Sequence, residues 1–135
     1  YDVIYQTQEN QLKYKGFLLS HYQKTENKVV YCYVEPKDYQ AYGLEFSYAS
    51  SQVNVLANIQ GSPIFALFTK NEKGGLRVEL RSSGVPIRDI AVKYGGGGHA
   101  NAAGVRMEKG GYQEAMAIVK DLDLLAKESN DYVGK

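Results

Sequence analysis

Residues 63–83 read PIFALFTKNEKGGLRVELRSS, and this stretch decides the fold class. From Pro63 to Thr69 nearly every position is apolar, as in a strand buried on both faces. Asn71 to Gly75 is a turn cluster of the kind that closes a hairpin. From Leu76 the chain alternates strictly, with Leu76, Val78 and Leu80 pointing one way and Arg77, Glu79 and Arg81 the other. One strand of the predicted hairpin is therefore mostly apolar. The other has a core face and a wet, charged face. Such a sheet needs helices against its apolar sides.

The flanking sequence supplies them. Residues 7–23 carry apolar side chains at Tyr14, Phe17, Leu18 and Tyr22, which predicts a helix with Thr7 as its N-cap. KVVYCYV at 28–34 reads as a buried central strand. After Pro36, a stripe of Tyr42, Phe46, Ala49, Val53 and Leu56 predicts one helix over about 38–60, stopped by Gly61. Downstream, residues 86–94 suggest a short helix with Pro86 near its start. A glycine-rich loop follows, then a short strand, VRME. The last helix, over 112–128, shows Tyr112, Ala115, Met116, Val119, Leu122 and Ala126 on one face. This order predicts an α/β domain with a mixed β-sheet of about four to five strands packed with helices.

Composition narrows the function classes. A chain of 135 residues fits one domain and can bury roughly two-thirds of its unfolded surface. At 44% apolar and 23% charged it is neither a disordered tail, a collagen-like repeat nor a coiled coil. No apolar run approaches the roughly 18 residues of a membrane span. A net charge of +1 argues against a broad basic surface for long duplex DNA, so any nucleic-acid contact is local. The lone cysteine, Cys32, leaves no partner for an internal disulfide and no multi-cysteine zinc site, and it fits a reducing cytoplasm. The chain opens on Tyr1 rather than Met and goes almost at once into a helical pattern, so it reads as part of a longer protein.

The segment Gly95-Gly96-Gly97-Gly98-His99 holds the sharpest chemistry. Ordering four glycines costs backbone entropy, and what they offer is amide N–H groups without Cβ obstruction. Successive amides of this kind form a nest for an anion. His99 adds a ring donor, and the small residues Ala100, Ala102, Ala103 and Gly104 allow close packing. A helix beginning after the glycines would aim its positive end at the same anion. A glycine run also suits a flexible linker, but this one lies between structured segments of a small domain. Arg81, near the end of its strand, offers a guanidinium fork suited to phosphate, with Ser82 as a neutral donor. Arg77, Arg88, Lys93 and Arg106 read as solvated. The aspartates are scattered, and neither a two-metal site nor a Ser-His-Asp arrangement can be assembled from them.

GGGGHANAAG resembles the GGGH-x-x-AAG signature of the DHHA1 domain, the C-terminal domain of DHH phosphoesterases. VELRSS, about a dozen residues earlier, is similar to the strand motif of the oligoribonuclease and pAp-phosphatase branch. The resemblance covers roughly residues 28–128. It implies a connecting helix at 1–27 and a substrate-binding DHHA1 domain at 28–135, facing an N-terminal DHH domain that would hold two metal ions, usually Mn2+. Gly96, Gly97, Gly98 and His99 would contact a substrate phosphate, and Arg81 a phosphate or terminal nucleotide with Ser82 assisting. No catalytic or metal-binding residue is implied in this chain, which alone would be inactive. Short oligoribonucleotides and 3′-phosphoadenosine 5′-phosphate (pAp) are the implied substrates, in a cytoplasmic enzyme without membrane contact that could form a homodimer. Two features depart from the family pattern. The DHH motif is absent, and Ala100 and Asn101 stand where many relatives carry a basic residue after the histidine. The alternatives are the same domain from a cyclic-dinucleotide phosphodiesterase or a RecJ-like exonuclease, and a non-catalytic RNA-binding or oligomerisation module.

Overall fold

Apolar strands of five to seven residues, separated by glycine and asparagine turns, need partners on both edges and cover on both faces. The computed structural model, which describes residues 2–133, shows how these needs are met. The elements in chain order are α1 (Asp2–His21), β1 (Gln23–Lys24), β2 (Val30–Val34), α2 (Pro36–Gln40), α3 (Phe46–Ser50), a 3-10 turn (Val53–Leu56), β3 (Ile64–Lys70), β4 (Leu76–Ser82), α4 (Arg88–Lys93), β5 (Gly97–His99), β6 (Ala102–Met107) and α5 (Tyr112–Val133). The six strands form one sheet in the order β1-β2-β3-β4-β6-β5. Only β2 and β3 run parallel, so the sheet is mixed. β3 is buried along all but its last residue, as its apolar sequence requires.

Two apolar cores sit on opposite faces. On one face Ala66, Phe68, Val78, Leu80 and Val105 pack against Ile87 and Ala91 beside α4 and against Ile118 and Leu122 of α5. On the other, Val30, Cys32, Val34, Phe65 and Leu67 pack against Tyr14 and Leu18 of α1, Tyr39 of α2, Ala49 of α3 and Leu56. α1, within the stretch read as a connecting helix, thus contributes two fully buried side chains, and Tyr14 Oη donates to the Ala49 carbonyl at 3.1 Å. This second core covers β2 and β3. Beyond it, the same face of β4, β6 and β5 carries polar and glycine residues, and the candidate site lies there.

Four expectations are corrected. The sheet has six strands rather than four to five, because a two-residue strand and a glycine strand carry no side-chain pattern to read. The single helix over 38–60 is three short segments, because Gly43 at φ +70° ends α2 and the Gly43 and Leu44 amides close onto the carbonyls of Gln40 and Tyr39. Thr7 lies inside α1 and not at its cap, since neither glycine nor proline interrupts the sequence between Asp2 and Gly16. No helix begins after the glycines; they follow the C-terminus of α4 and lead into β5.

Candidate phosphate-binding site

Strand pairing arranges the site in rows. His99 pairs with Ala102, which pairs with Arg81; Gly97 pairs with Gly104, which pairs with Glu79; Arg106 pairs with Arg77. Directly paired residues share a face, so His99 and Arg81 point to the same side from strands two apart, about 10 Å between backbones. The surface they share is concave. Arg77, Glu79, Arg81, Gly95 to Gly98, Ala102 to Val105 and Arg106 line a hollow of 430 Å³. His99 stands exposed beside its rim, at the end of β5.

The four glycines do different things. The Gly95 amide bonds the Val92 carbonyl at 3.0 Å and the Gly96 amide bonds the Ala91 carbonyl at 2.8 Å. These are the two bonds of a Schellman cap. Both amides are therefore spent on ending α4, and of the expected four-amide nest Gly98 alone keeps an outward amide: its carbonyl faces Arg88 rather than β6, and antiparallel alternation turns the Gly97 amide toward its partner Gly104. Gly96 also lies so close to β6 that a Cβ would meet the Gly104 oxygen at 2.1 Å. Gly98, at φ +137°, would place a Cβ 2.6 Å from the Ala103 Cα. Gly97 has open space around it: nothing lies within 4 Å of an added Cβ. The Gly98 carbonyl accepts a bond from Arg88 Nε at 3.0 Å, so Arg88, read as solvated, braces the edge strand.

A second brace holds the far end of the hairpin. The Ile87 amide bonds the Ala100 carbonyl at 2.7 Å, and the Ser82 amide bonds the Asn101 carbonyl at 3.1 Å. Ser82 Oγ donates to the Val85 carbonyl and accepts from Asn101 Nδ2 at 3.0 Å. Its hydroxyl is engaged with the loop after β4, and the structure does not bring it into the hollow. Behind α4, Tyr94 Oη and Lys93 Nζ both donate to Asp121 on α5, at 2.6 and 2.9 Å. Burial and the bond to Asp121 push the Tyr94 hydroxyl up to about 12, so it stays a donor at neutral pH.

The electrostatics centre on Glu79, which the sequence reading placed on the charged face without a role. Its carboxylate accepts from Arg77 Nη2 at 3.0 Å and lies 3.8 Å from Arg81 Nη1. Arg81 Nη1 also donates to the Leu80 carbonyl at 2.9 Å. Three guanidiniums against one carboxylate leave the hollow with a net charge of +2. Arg106 belongs to that set. The sequence reading began its strand at Val105, too late to fix a face, while the pairing puts Arg106 opposite Arg77. Guanidinium forks and a Cβ-free edge around one hollow are groups suited to an anion. Among the described residues, no three His, Cys, Asp or Glu side chains gather as a metal site, and none of the helices is long and apolar enough to cross a membrane.

Fold and site together define a small α/β domain with an arginine-lined hollow on one sheet face, and comparison with known proteins gives its family. The chain belongs to the DHHA1 domain family, whose profile matches residues 21–128. It is 38% identical over 104 residues to the bifunctional oligoribonuclease and PAP phosphatase NrnA of Mycoplasma genitalium, covering 77% of this chain and 32% of that protein. The NrnA of Bacillus subtilis is 33% identical over 128 residues, covering 95% of this chain and 40% of that protein. The chain thus spans less than half the length of these relatives, which are hydrolases by name. An exopolyphosphatase-related protein from Bacteroides fragilis superposes with a TM-score of 0.77 at 18% identity, over 94% of this chain and 37% of that one. The pGpG-specific phosphodiesterase PggH from Vibrio cholerae gives 0.61 at 17% identity, over 93% of this chain and 41% of that one. These two likenesses establish the fold.

Proposed function

We propose that this chain grips the phosphate end of a short oligoribonucleotide or of pAp for a DHH-type phosphoesterase, as its substrate-binding domain. The observation that carries this reading is the hollow spanning β4, β6 and β5, which Arg81 and the glycines before His99 line together on the face that His99 also shares. The names of the NrnA relatives supply the substrate class. The domain's contribution is positioning and charge neutralisation: the guanidinium and the Gly98 edge amide fix a phosphate, and that fixes where the scissile bond can sit. Glu79 holds Arg77 and faces Arg81, which keeps the arginines ordered before substrate arrives.

The ester cleavage itself belongs to a partner domain. The metal pair of the family, Mn2+ in our reading, does not fit this chain, because Glu79 faces arginines and Asp121 and Asp123 are bonded to their own neighbours. We place the protein in the cytoplasm, in keeping with its buried, lone Cys32.

Calorimetric titration of the chain with pAp, a 5′-phosphorylated dinucleotide and a hairpin RNA tests the reading, with His99→Ala run in parallel. Binding of the two small ligands, weakened about ten-fold or more by the substitution, is the expected result. Binding of the hairpin alone would overturn it and favour an RNA-binding module.

A further inference from the structure

We propose that the cavity next to the phosphate hollow is a second nucleotide subsite, in which Arg77 and Arg106 take the next phosphate and Phe46 the nucleoside. This rests on the reading of the hollow as a phosphate site and extends it along the same sheet face. The cavity measures 520 Å³ and is walled by Phe46 and Ser50 of α3 on one side and by Arg77, Arg106 and Glu108 on the other. It shares Arg77, Glu79 and Arg106 with the hollow, so the two form one trough. A space of that size falls in the range of small-molecule sites.

The arginines are the first argument. Arg77 and Arg106 are direct cross-strand partners on one face. Like charges so placed destabilise a sheet. Glu79 offsets only one of them, through its 3.0 Å bond to Arg77. Arg106 is exposed, and among the described residues no carboxylate lies within ion-pair distance of it. An anion between the two guanidiniums relieves the repulsion.

Spacing is the second. Arg77 and Arg81 stand four residues apart on β4, about 13 Å between Cα atoms. The Glu79 carboxylate lies between them, and an anion bridging both would be driven against it. The trough therefore carries its arginines at two stations divided by Glu79, with a second carboxylate, Glu108, at the far end of the cavity, an arrangement that matches successive phosphates better than one large anion. Phe46 is half-buried and apolar beside the second station. A base stacked on an aromatic ring there adds affinity without strong sequence preference.

The test compares AMP, with one phosphate, and the dinucleotide pApA, with two, by titration into the wild-type chain, Arg106→Ala and Phe46→Leu. The expected result is that wild type binds pApA about ten-fold or more tighter than AMP. Arg106→Ala should cut that ratio to less than about three-fold, with most of the loss in pApA, and Phe46→Leu should reduce it in the same direction. Arg106 is exposed, so an unchanged melting curve separates lost binding from lost folding. A wild-type ratio near one, or a ratio that survives Arg106→Ala, overturns the second subsite and leaves the phosphate hollow standing. Failure of AMP and pApA alike to bind overturns both.

Discussion

Two neighbouring glycines separate what the loop does for the fold from what it does for a ligand. Alanine at Gly96 would set its Cβ 2.1 Å from the Gly104 oxygen and 2.9 Å from Val105 Cγ2. Carbon and oxygen need more than 3 Å, so the overlap is about 1 Å with backbone that is itself paired to β4 and cannot yield. Relief requires breaking the α4 cap or the β5–β6 pairing. We expect a loss of about 3 kcal/mol, the upper end for overpacking, or a melting temperature lower by about 10 °C. Alanine at Gly97 meets nothing within 4 Å, and replacing glycine in allowed backbone removes unfolded-state entropy. Its stability should match wild type or rise by up to about 1 kcal/mol. Its methyl group would stand in the hollow, where the phosphate is to sit, and pAp affinity should fall about ten-fold or more. Circular-dichroism melts and calorimetry on both variants give the answer. If Gly97→Ala melts as early as Gly96→Ala, or binds pAp like wild type, the division of labour argued here is wrong.

Further expectations concern single residues. Arg81→Ala and His99→Ala should each cost about 1.5–3 kcal/mol of phosphate binding with little change in folding; wild-type affinity in both, by calorimetry, would refute the assignment. Asp123 accepts from the Asn27 backbone and side-chain amides at 2.9 and 3.0 Å. Burial pushes its pKa up, but bonds from Thr25 and Asn27 outweigh this and hold the carboxyl below its ordinary value. Its stabilisation is thus full above the unfolded value of about 3.9 and is lost as pH falls through the lower folded one. Asp123→Ala should cost about 1–3 kcal/mol at pH 7 and flatten the loss of stability below pH 4, read from denaturant titrations at several pH values. Burial, and then Asp38, pushes the Cys32 thiol up to about 12. Iodoacetamide at pH 8 should modify it only as fast as the chain unfolds, and rapid labelling of the folded chain would contradict the packing.

The hairpin was legible because its side chains alternate: Leu76, Val78 and Leu80 are buried, and Arg77, Glu79 and Arg81 share the opposite face. β2 and β3 were legible from their apolar runs, and α5 from its spacing. β5 was not, because glycine has no side chain to alternate and the strand exists through backbone pairing alone. The breaks between α2, α3 and the 3-10 turn hid behind a continuous apolar stripe; Gly43 was the available signal. At the site, the motif marked the loop that lines the hollow but not how its glycines are used. That Gly95 and Gly96 cap α4 depends on where α4 ends, and that Ser82 holds Asn101 depends on a hairpin closing beside it. Glu79 and Arg106 took on meaning only once register placed them in the hollow.

The most direct test of the central claim is a titration of the 15N-labelled chain with pAp, followed by backbone amide spectra. The account predicts that the amides of Gly97, Gly98 and His99 and those around Arg81 shift together and saturate, while α5 stays still. Shifts confined to the α4–α5 face, with the glycine amides unmoved at saturating pAp, would contradict it.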